Sequence, residues 1–399
     1  KIGKGGNAVI RWFRQYAWNA IRKSDLILLL LCGLANAFGL LMIATTTNYR
    51  GTLSFVERQL LASVGGVFLY FFISSLNIDS ILERRRILYL VMYGLILLLI
   101  PFGADNGSGN KSWIDIDFLP FFIQPAEIAK IFLILVCAAI MGARQNRPSA
   151  ISSVMRSFFP FFLLFALNLG LSGDLGVSVI FVVIYVVMAL AGGISFIWFA
   201  LAGGGLAVAL PFLWRMLDGY QKNRFLILFD PSIDPLGINE RYHTMRSLKS
   251  LTGGGLFGQG LFNGNRTQTY GVLPAQHTDF IFSAIGEELG YIGCIFTIVL
   301  LFLVVARVIW VGVRSPDYTR KLICFGAGAA LIFQIVINVG MCMGVMPVIG
   351  LTLPFISYGG SSIITVYGML GFVSGVYARP SPTSYERYIR PPYMARTLL

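Results

Sequence analysis

The sequence predicts an all-α, polytopic membrane protein with ten transmembrane helices, and three observations support this. The chain of 399 residues is 56% hydrophobic and only 12% charged, whereas soluble domains carry about 25% charged residues. Its apolar residues form continuous runs long enough to cross a bilayer as helices, not the alternating pattern of a β-barrel. Arginine and lysine concentrate between alternate runs, as they do in membrane proteins of fixed orientation.

Ten apolar runs are predicted as spans. They cover residues 26–46, 60–76, 87–102, 125–142, 158–171, 175–191, 194–214, 291–310, 322–346 and 361–377. No second domain and no sequence repeat interrupts this pattern. Residues 1–399 are therefore predicted to form a single membrane domain.

Basic residues predict the orientation of these spans. The short loops on one side hold only Arg50, Arg58 and Lys111, whereas the other short loops and both ends hold clusters such as residues 84–86. Because arginine and lysine in short loops favour the cytoplasm, both termini are predicted to be cytoplasmic. The net charge of +13 follows this distribution, so it gives no indication of a nucleic-acid partner.

The same orientation assigns the three long polar segments. Residues 1–25 are predicted as an amphipathic cytoplasmic N-terminus that lies on the membrane lipids. Residues 378–399 are predicted as a cytoplasmic tail. Residues 215–278 form a large extracellular loop between spans 7 and 8, since long loops cross the membrane largely regardless of their charge.

The cysteines and glycines exclude three kinds of site. The five cysteines all fall inside apolar runs without metal-ligand spacing, at Cys32, Cys137, Cys294, Cys324 and Cys342. Neither a disulfide framework nor a zinc site is therefore predicted. The glycine-rich stretch at 253–264 lacks the Gly-Lys-Ser/Thr ending of a P-loop, so a nucleotide site of that type is excluded too.

Ionisable residues near the span ends converge on one side of the predicted membrane. Glu127 and Lys130 lie in the first turns of span 4, and Asp174 opens span 6. Asp279 ends the long extracellular loop, two residues after His277. A charged group inside the bilayer costs about 3 kcal/mol on insertion scales, so such groups are usually functional. We therefore predict one polar site at the outer face, with Asp279 at its centre.

Each of these candidates also has a structural interpretation. Glu127 and Lys130 are three residues apart on one helical face, so they can form a supporting salt bridge or contact a substrate. Asp279 precedes an apolar run and can be a helix N-cap. His277 can be a ligand, a proton partner or a structural residue.

Two further segments border the predicted site. Glu287 and Glu288 lie between glycines and are predicted in an interfacial turn before span 8, where they orient the loop. The uncharged segment 350–362 between spans 9 and 10 contains Ser357 and Tyr358. Non-helical backbone at membrane depth is tolerated only where it is buried in protein or lines a wet cavity, so these two residues are added to the candidates.

Taken together, these stretches resemble the SEDS family, which includes RodA, FtsW and SpoVE. The resemblance rests on residues 124–130, 174–176, 277–282 with 286–290, and 354–362, in the family's order. The sequence departs from the family pattern at Ser112, at residues 172–173 and at residues 243–247.

The resemblance implies a peptidoglycan glycosyltransferase that polymerises lipid II at the outer face of the bacterial cytoplasmic membrane and releases undecaprenyl diphosphate. Asp279 falls on the family's essential aspartate. Glu127 and Lys130 fall on its glutamate and lysine of the fourth span. The implied partner is a class B penicillin-binding protein, a transpeptidase that crosslinks the glycan.

This chemistry assigns roles to the candidates. Glycosyl transfer needs a base for the acceptor hydroxyl and positive charge at the leaving pyrophosphate. We predict Asp279 as the general base. The substrate-binding or supporting residues are predicted to be Glu127, Lys130, Asp174, His277, Ser357 and Tyr358. Lys130, arginines of the long loop or a divalent cation (Mg²⁺ or Mn²⁺) would serve the pyrophosphate, and no organic cofactor is expected.

Two other classes of function stay open at this point. One is a lipid II flippase or other transporter, and the other is a non-catalytic scaffold of a cell-wall complex. The coupling residues of a transporter lie near the bilayer midplane, whereas the ionisable residues here are predicted at the outer face, which favours an enzyme. The sequence leaves open a role in cell elongation, division or sporulation.

Overall fold

The computed structural model describes residues 21–104, 111–116, 119–216, 219–227, 230, 232, 234 and 241–379. Most of the predicted amphipathic N-terminus (1–25) and of the predicted cytoplasmic tail (378–399) therefore lies outside the described residues.

The described chain is built almost entirely of helices. In order they are α1 (Leu26–Thr47), α2 (Ser54–Ser75), α3 (Ile78–Glu83), α4 (Arg85–Leu97), α5 (Leu99–Phe102), α6 (Pro125–Gly142), α7 (Ile151–Ser172), α8 (Leu175–Ala191), α9 (Phe196–Met216), α10 (Gly219–Leu226), α11 (Tyr242–Gly253), α12 (Ile281–Arg314), α13 (Tyr318–Cys342) and α14 (Gly360–Ala378). A short 3₁₀ turn (Asn48–Arg50) extends α1, and β1 (Gly103–Ala104) pairs antiparallel with β2 (Trp113–Ile114).

Eight helical segments of the described chain are long and apolar enough to cross a membrane. They are α1 with its 3₁₀ turn, α2, α4 with α5, α6, α7, α12, α13 and α14. α8 and the segment Phe196–Phe212 of α9 are shorter apolar helices. The prediction of an all-α polytopic membrane protein is therefore confirmed, and the count of ten spans stays a prediction.

Helix caps explain where several of these helices begin. The carboxylate of Asp174 accepts a hydrogen bond from Val177 N–H at 3.1 Å and caps α8, and Asp25 caps α1 in the same way through Leu28 N–H. α6 begins with Pro125, which suits the first helical position because its missing N–H would be unbonded there anyway. α7 begins at Ile151, seven residues before the predicted span. The prediction started too late because the first two turns of the helix are polar and hydropathy does not mark them.

Three helices form the centre of the bundle. In their apolar windows, 83% of α6, 78% of α14 and 72% of α13 is buried. α14 packs along α2, and α13 packs along α12, α8 and α6. The most enclosed of the three, α6, carries Glu127 and Lys130, so the ionisable pair lies inside the protein and not against lipid.

α12 is broken near its start. Gly290 has φ 68° and ψ −164°, which is not helical. The 34 residues of α12 would span about 50 Å at 1.5 Å per residue, more than the hydrocarbon core of about 30 Å. Residues 281–290 form a segment enclosed by the protein, and the exposed apolar part begins at Tyr291.

The break corrects the prediction for Glu287 and Glu288. Both lie inside the helix, before the break, and are fully buried, whereas an interfacial turn was expected from the flanking glycines. Gly286 is helical and lies against α11, where an added Cβ would come within 2.8 Å of the Leu251 side chain. Of the two glycines that flank the glutamates, only Gly290 has a backbone conformation that favours glycine.

The predicted orientation can be tested by cysteine labelling. All five native cysteines are buried, so a cysteine introduced at an exposed position is the main target for an impermeant reagent. A cysteine-free background removes any remaining labelling of the native cysteines. Asn263→Cys is expected to react from outside intact cells and Asn146→Cys only after permeabilisation. Gly107→Cys, also predicted outside, falls outside the described residues. Labelling of Asn146→Cys in intact cells would overturn the predicted topology.

Candidate active site

Asp279 lies at the end of the loop that precedes α12, and its position is fixed through its backbone. Its carbonyl oxygen accepts a hydrogen bond from Asn338 Nδ2 of α13 at 2.9 Å and one from Cys342 Sγ at 3.6 Å. The side chain is half-buried. Within the described part of the chain, no group donates a hydrogen bond to its carboxylate. The backbone of Asp279 is therefore fixed, while its carboxylate remains able to accept hydrogen bonds.

The segment between α13 and α14 holds the two residues before Asp279. Tyr358 N–H donates to the carbonyl of His277 at 2.8 Å, and Ser357 Oγ donates to the carbonyl of Thr278 at 2.6 Å. Ser357 Oγ also accepts Leu353 N–H at 2.8 Å, which folds the segment on itself. Ser357 and Tyr358 are therefore positioning residues: together with Asn338 they hold three consecutive carbonyls.

Gln59 of α2 supports this arrangement from the other side. Its Nε2 donates to Ser357 O at 3.3 Å, and its Oε1 accepts Gly359 N–H at 3.0 Å. Gln59 is fully buried, and a buried amide is stabilising only when both its ends are bonded. The segment between α13 and α14 is therefore fixed to α2 as well as to the loop that carries Asp279.

His277 is enclosed by aromatic rings. Its ring lies 5.0 Å from Phe55 and 5.8 Å from Tyr358, centroid to centroid. Burial, and then the positive charge of Arg50, lower the pKa of His277 to about 4, so the imidazole is neutral at pH 7. The cause is the unfavourable transfer of a cation out of water. A direct role for His277 with the substrate stays a prediction.

Asp174 combines a capping role with proximity to Asp279. Oδ1 caps α8, and Oδ2 accepts Gln124 Nε2 at 2.8 Å. Burial raises the pKa of Asp174 above its usual value, and the negative charge of Glu127 acts in the same direction. Because both its oxygens are engaged, Asp174 is less available for proton transfer than Asp279.

The negative charge of Asp174 acts on Asp279. Burial, and then the charge of Asp174, raise the pKa of Asp279 to about 6. Gly350 adjoins Asp279: a Cβ added there would lie 3.7 Å from Asp279 Oδ2, and its φ of 69° favours glycine. The carbonyl of the next residue, Leu351, accepts the second hydrogen bond of Asn338 Nδ2 at 2.7 Å, which fixes the segment beside the carboxylate.

Glu127 and Lys130 form a buried ion pair. Lys130 Nζ lies 2.5 Å from Glu127 Oε2, and the lysine side chain is fully buried. Glu127 Oε1 accepts a weaker hydrogen bond from Gln334 Nε2 of α13 at 3.4 Å. The salt bridge, one of the two interpretations of this pair, is therefore present. Direct contact with a substrate stays a prediction.

Glu287 and Glu288 organise the loop that leads to Asp279. Glu287 Oε1 accepts the backbone N–H of Arg266 at 2.6 Å. Glu288 Oε1 accepts Thr267 Oγ1 at 3.0 Å and Gln268 Nε2 at 3.1 Å. These contacts are those of the loop-orienting role expected from the sequence, although the two residues lie in a helix.

The site does not supply a protein-only metal centre in the described residues. Among them, no group of three or more histidine, cysteine, aspartate or glutamate side chains is arranged to hold a metal ion. The divalent cation therefore stays a prediction.

Three polar residues of the site were missed from the sequence: Gln59, Gln334 and Asn338. Each is an uncharged amide: Gln334 and Asn338 lie inside an apolar run, and Gln59 lies directly before one. Gln334 and Asn338 are four residues apart and therefore lie on one face of α13, and this spacing was the available signal. An uncharged amide alters the hydropathy of an apolar run very little and its charge not at all, so neither pattern marks these residues.

Asn338 gives a direct test of the backbone arrangement. Asn338→Leu keeps the approximate side-chain size but leaves the carbonyls of Asp279 and Leu351 without their donor. An unsatisfied buried group costs about 1–3 kcal/mol, so we expect a lower melting temperature and a reduced kcat for the reaction proposed below. Val336→Leu, at an exposed position of the same helix, is the control. Unchanged kcat in Asn338→Leu would show that Asp279 is positioned without this contact.

The family follows from comparison with known proteins. A family model named for FtsW, RodA and SpoVE, and described as "Cell cycle protein", matches residues 23–380. The chain belongs to the FtsW/RodA/SpoVE family. Its members include "Probable peptidoglycan glycosyltransferase FtsW" of Trichlorobacter lovleyi, which is 32% identical over 370 residues and covers 89% of this chain and 93% of its own.

Other FtsW/RodA/SpoVE proteins are about equally similar. "Peptidoglycan glycosyltransferase MrdB" of Escherichia coli K12 is 32% identical over 73% of this chain and 76% of its own. "Stage V sporulation protein E" of Bacillus subtilis is 31% identical over 91% of this chain and 98% of its own. Membership and the apolar helices together make the chain a multi-pass membrane protein.

Solved structures show the same family fold. One described as "Structural coordination of polymerization and crosslinking by a peptidoglycan synthase complex" matches with a TM-score of 0.74 and 28% identity, covering 90% of this chain and 99% of that one. An aspartate-to-alanine mutant of Rod shape determining protein RodA of Thermus thermophilus matches with a TM-score of 0.66 and 26% identity over the same shares.

Proposed function

We propose that this FtsW/RodA/SpoVE protein is a peptidoglycan glycosyltransferase that polymerises lipid II into glycan strands at the outer face of the bacterial cytoplasmic membrane, in cell elongation or division. The observation that carries the proposal is the Asp279 carboxylate. It is fixed through its backbone, receives no hydrogen bond from the described residues, and has a pKa raised to about 6. A base is most effective when its pKa lies near the working pH.

In the proposed reaction, Asp279 removes the proton from the acceptor sugar hydroxyl. The hydroxyl oxygen then bonds to the anomeric carbon of the donor, and the bond from that carbon to the pyrophosphate breaks. Undecaprenyl diphosphate leaves with the bonding electron pair. Burial is the main cause of the raised pKa of Asp279, and the negative charge of Asp174 adds to it. The oxygens of Asp174 itself remain engaged by Val177 and Gln124.

The leaving pyrophosphate needs positive charge. Lys130 is enclosed and bonded to Glu127, which supports an indirect electrostatic contribution from this residue. Arg50 is exposed, and its charge acts on His277, two residues before Asp279. We propose that exposed arginines such as Arg50 contact the pyrophosphate, with a divalent cation as the further candidate.

Polymerisation of lipid II by the purified protein tests the proposal. Glycan product would support the enzyme. Movement of lipid II across the bilayer without glycan product would instead indicate a transporter. Neither activity, with the partner proposed below also present, would indicate a scaffold. The placement of the described carboxylates around Asp279, next to the loop before α12, favours the enzyme because transporters couple at the bilayer midplane.

A penicillin-binding protein partner is proposed on separate grounds. A structure similar to this chain is described as part of a peptidoglycan synthase complex that coordinates polymerisation and crosslinking. A one-span class B penicillin-binding protein would bring the crosslinking site and could order the predicted extracellular loop at 215–278. Binding energy would then be used to assemble the site around Asp279.

The expected result is low polymerase activity for the isolated chain and a clear rise with the cognate partner. The measurement is glycan formed from lipid II with and without the partner, at equal enzyme. A transpeptidase-inactive partner is the control, because it separates assembly from crosslinking. Equal rates with and without the partner would show that the loop is already organised.

A further inference from the structure

The glycine-rich loop after α11 lies against α12 at the point where α12 is broken. Tyr291 N–H donates to Gly255 O at 2.9 Å, and Ile292 N–H donates to Leu256 O at 3.3 Å. A side chain at Gly290 would overlap the backbone of Leu256 and Gly258. The loop can therefore approach this closely only because glycine occupies the break.

The same point marks a change in the environment of α12. Residues 281–290 are almost entirely buried, whereas Tyr291 is 61% and Ile292 53% exposed. Beyond them the exposed side of α12 continues with Ile295, Phe296, Val299, Phe302 and Leu303. On a helix long enough to cross a membrane, an exposed apolar face is expected to face lipid.

Tyr291 gives the level of the membrane interface. The segment from Tyr291 to Trp310 is about 30 Å long at 1.5 Å per residue, which equals the hydrocarbon thickness of a bilayer. Tyrosine and tryptophan are the residues enriched at the two membrane–water interfaces. The loop is therefore bonded to α12 at the level where the bilayer begins.

Leu256 and Phe257 are two adjacent exposed apolar residues of the loop, next to the first turn of α12 after the break. Leu256 is 63% and Phe257 79% exposed. The backbone carbonyl of Leu256 accepts the hydrogen bond from Ile292, in the first exposed turn of α12. Two adjacent large apolar side chains in water are unfavourable, and the lipid beside Ile292 would cover them. Their exposure is continuous with the lipid-facing side of α12, which favours lipid over a protein as the occupant.

We propose that Leu256 and Phe257 insert into the membrane leaflet on the Asp279 side and anchor the glycine-rich loop to lipid. The rest of the loop is bonded to the buried segment of α12, through Gln259 N–H to Glu287 O and Gly260 N–H to Glu288 O, both at 2.9 Å. The anchor therefore fixes the height of the loop relative to the bilayer. This inference does not depend on the reaction proposed above.

Spin labelling in a bilayer tests the anchor. Phe257→Cys carries a nitroxide in vesicles of phosphatidylglycerol and phosphatidylethanolamine, and collisions with oxygen and with a water-soluble nickel chelate report its depth. We expect the label to resemble Val299→Cys, on the exposed side of α12, with high oxygen and low nickel accessibility. Asn265→Cys, exposed in the same loop, is the aqueous control with several-fold higher nickel accessibility.

Leu256→Cys repeats the measurement, so the outcome does not rest on one variant. A size-exclusion elution volume equal to that of the wild-type protein shows that each variant is folded. Nickel accessibility at residues 256 and 257 equal to that at 265 would overturn the proposal. Protection that arises only after a one-span partner protein is added would overturn it too, since the surface would then be a protein interface.

Discussion

Asp279→Asn is expected to leave the protein folded and inserted but to lower glycan polymerisation by about 100- to 10,000-fold, the contribution of a positioned general base. Asparagine keeps the shape of the side chain but cannot accept the proton. The contacts that position residue 279 use its backbone carbonyl, so the substitution leaves them in place. The loss would therefore report on the carboxylate alone.

The measurement is glycan formed from lipid II at equal enzyme, with the cognate partner present. Asp115→Asn is the control, since Asp115 is an exposed acid in the segment before α6 and should not affect the rate. Near-normal turnover in Asp279→Asn would remove Asp279 from the mechanism and favour a scaffold.

The same carboxylate gives a pH dependence with a defined sign. Burial and the charge of Asp174 raise the pKa of Asp279 to about 6, so the base is ionised above pH 6 and protonated below. Activity should fall about tenfold per pH unit below this midpoint. Asp174→Asn, which removes the neighbouring charge, should move the midpoint to lower pH.

Stability should follow the opposite sense. A carboxyl whose pKa is higher in the folded than in the unfolded state makes the fold less stable once it ionises. Asp279→Asn is therefore expected to keep or raise the melting temperature at pH 7 while activity is lost. A large fall in melting temperature would instead indicate a structural role for the carboxylate.

The second large effect is expected at the buried pair. Lys130→Met leaves the Glu127 charge buried without its partner, and breaking a buried ion pair in this way costs about 3–5 kcal/mol. The exchanged pair, Glu127→Lys with Lys130→Glu, restores opposite charges at 127 and 130. We expect it to recover the folded protein but not the activity, because the exchange brings a cation nearer to Asp174 and alters the field at Asp279.

Thermal unfolding and polymerisation measured on the same samples separate the two effects. Asp25→Asn is the control, because it disrupts the buried ion pair of Asp25 with Arg307, which is distant in sequence from the active-site segments. It should lower stability without lowering kcat of the folded fraction. Full activity in the exchanged pair would show that Glu127 and Lys130 form only a salt bridge.

The ion pair between Asp25 and Arg307 shows why charged residues alone did not predict every contact. Arg307 lies within a predicted span, and its guanidinium makes two hydrogen bonds of 2.9 Å to Asp25. This pair lies away from the acids at the predicted outer ends of the spans and was not predicted. Its partners are 282 residues apart, so no local pattern joins them.

The sequence by itself determined the membrane class and the approximate position of the apolar helices, and it predicted Asp279 as the centre of the polar site. These are local properties: an apolar run, a cluster of arginines and a short motif can each be recognised without knowing what lies beside them. The helix boundaries were less accurate at α7 and α12, where polar or broken turns continue a helix beyond its apolar part.

Only the tertiary structure decided how the site is held together. Asn338 reaches Asp279 across 59 residues, Ser357 reaches Thr278 across 79, and Gln59 reaches Ser357 across 298. It also decided that Lys130 is bonded to Glu127 inside the bundle and that Asp174 acts on Asp279 through its charge. The physical reason is that hydrogen bonds and charge interactions depend on distance in space, which is set when the helices pack and not by their order in the chain.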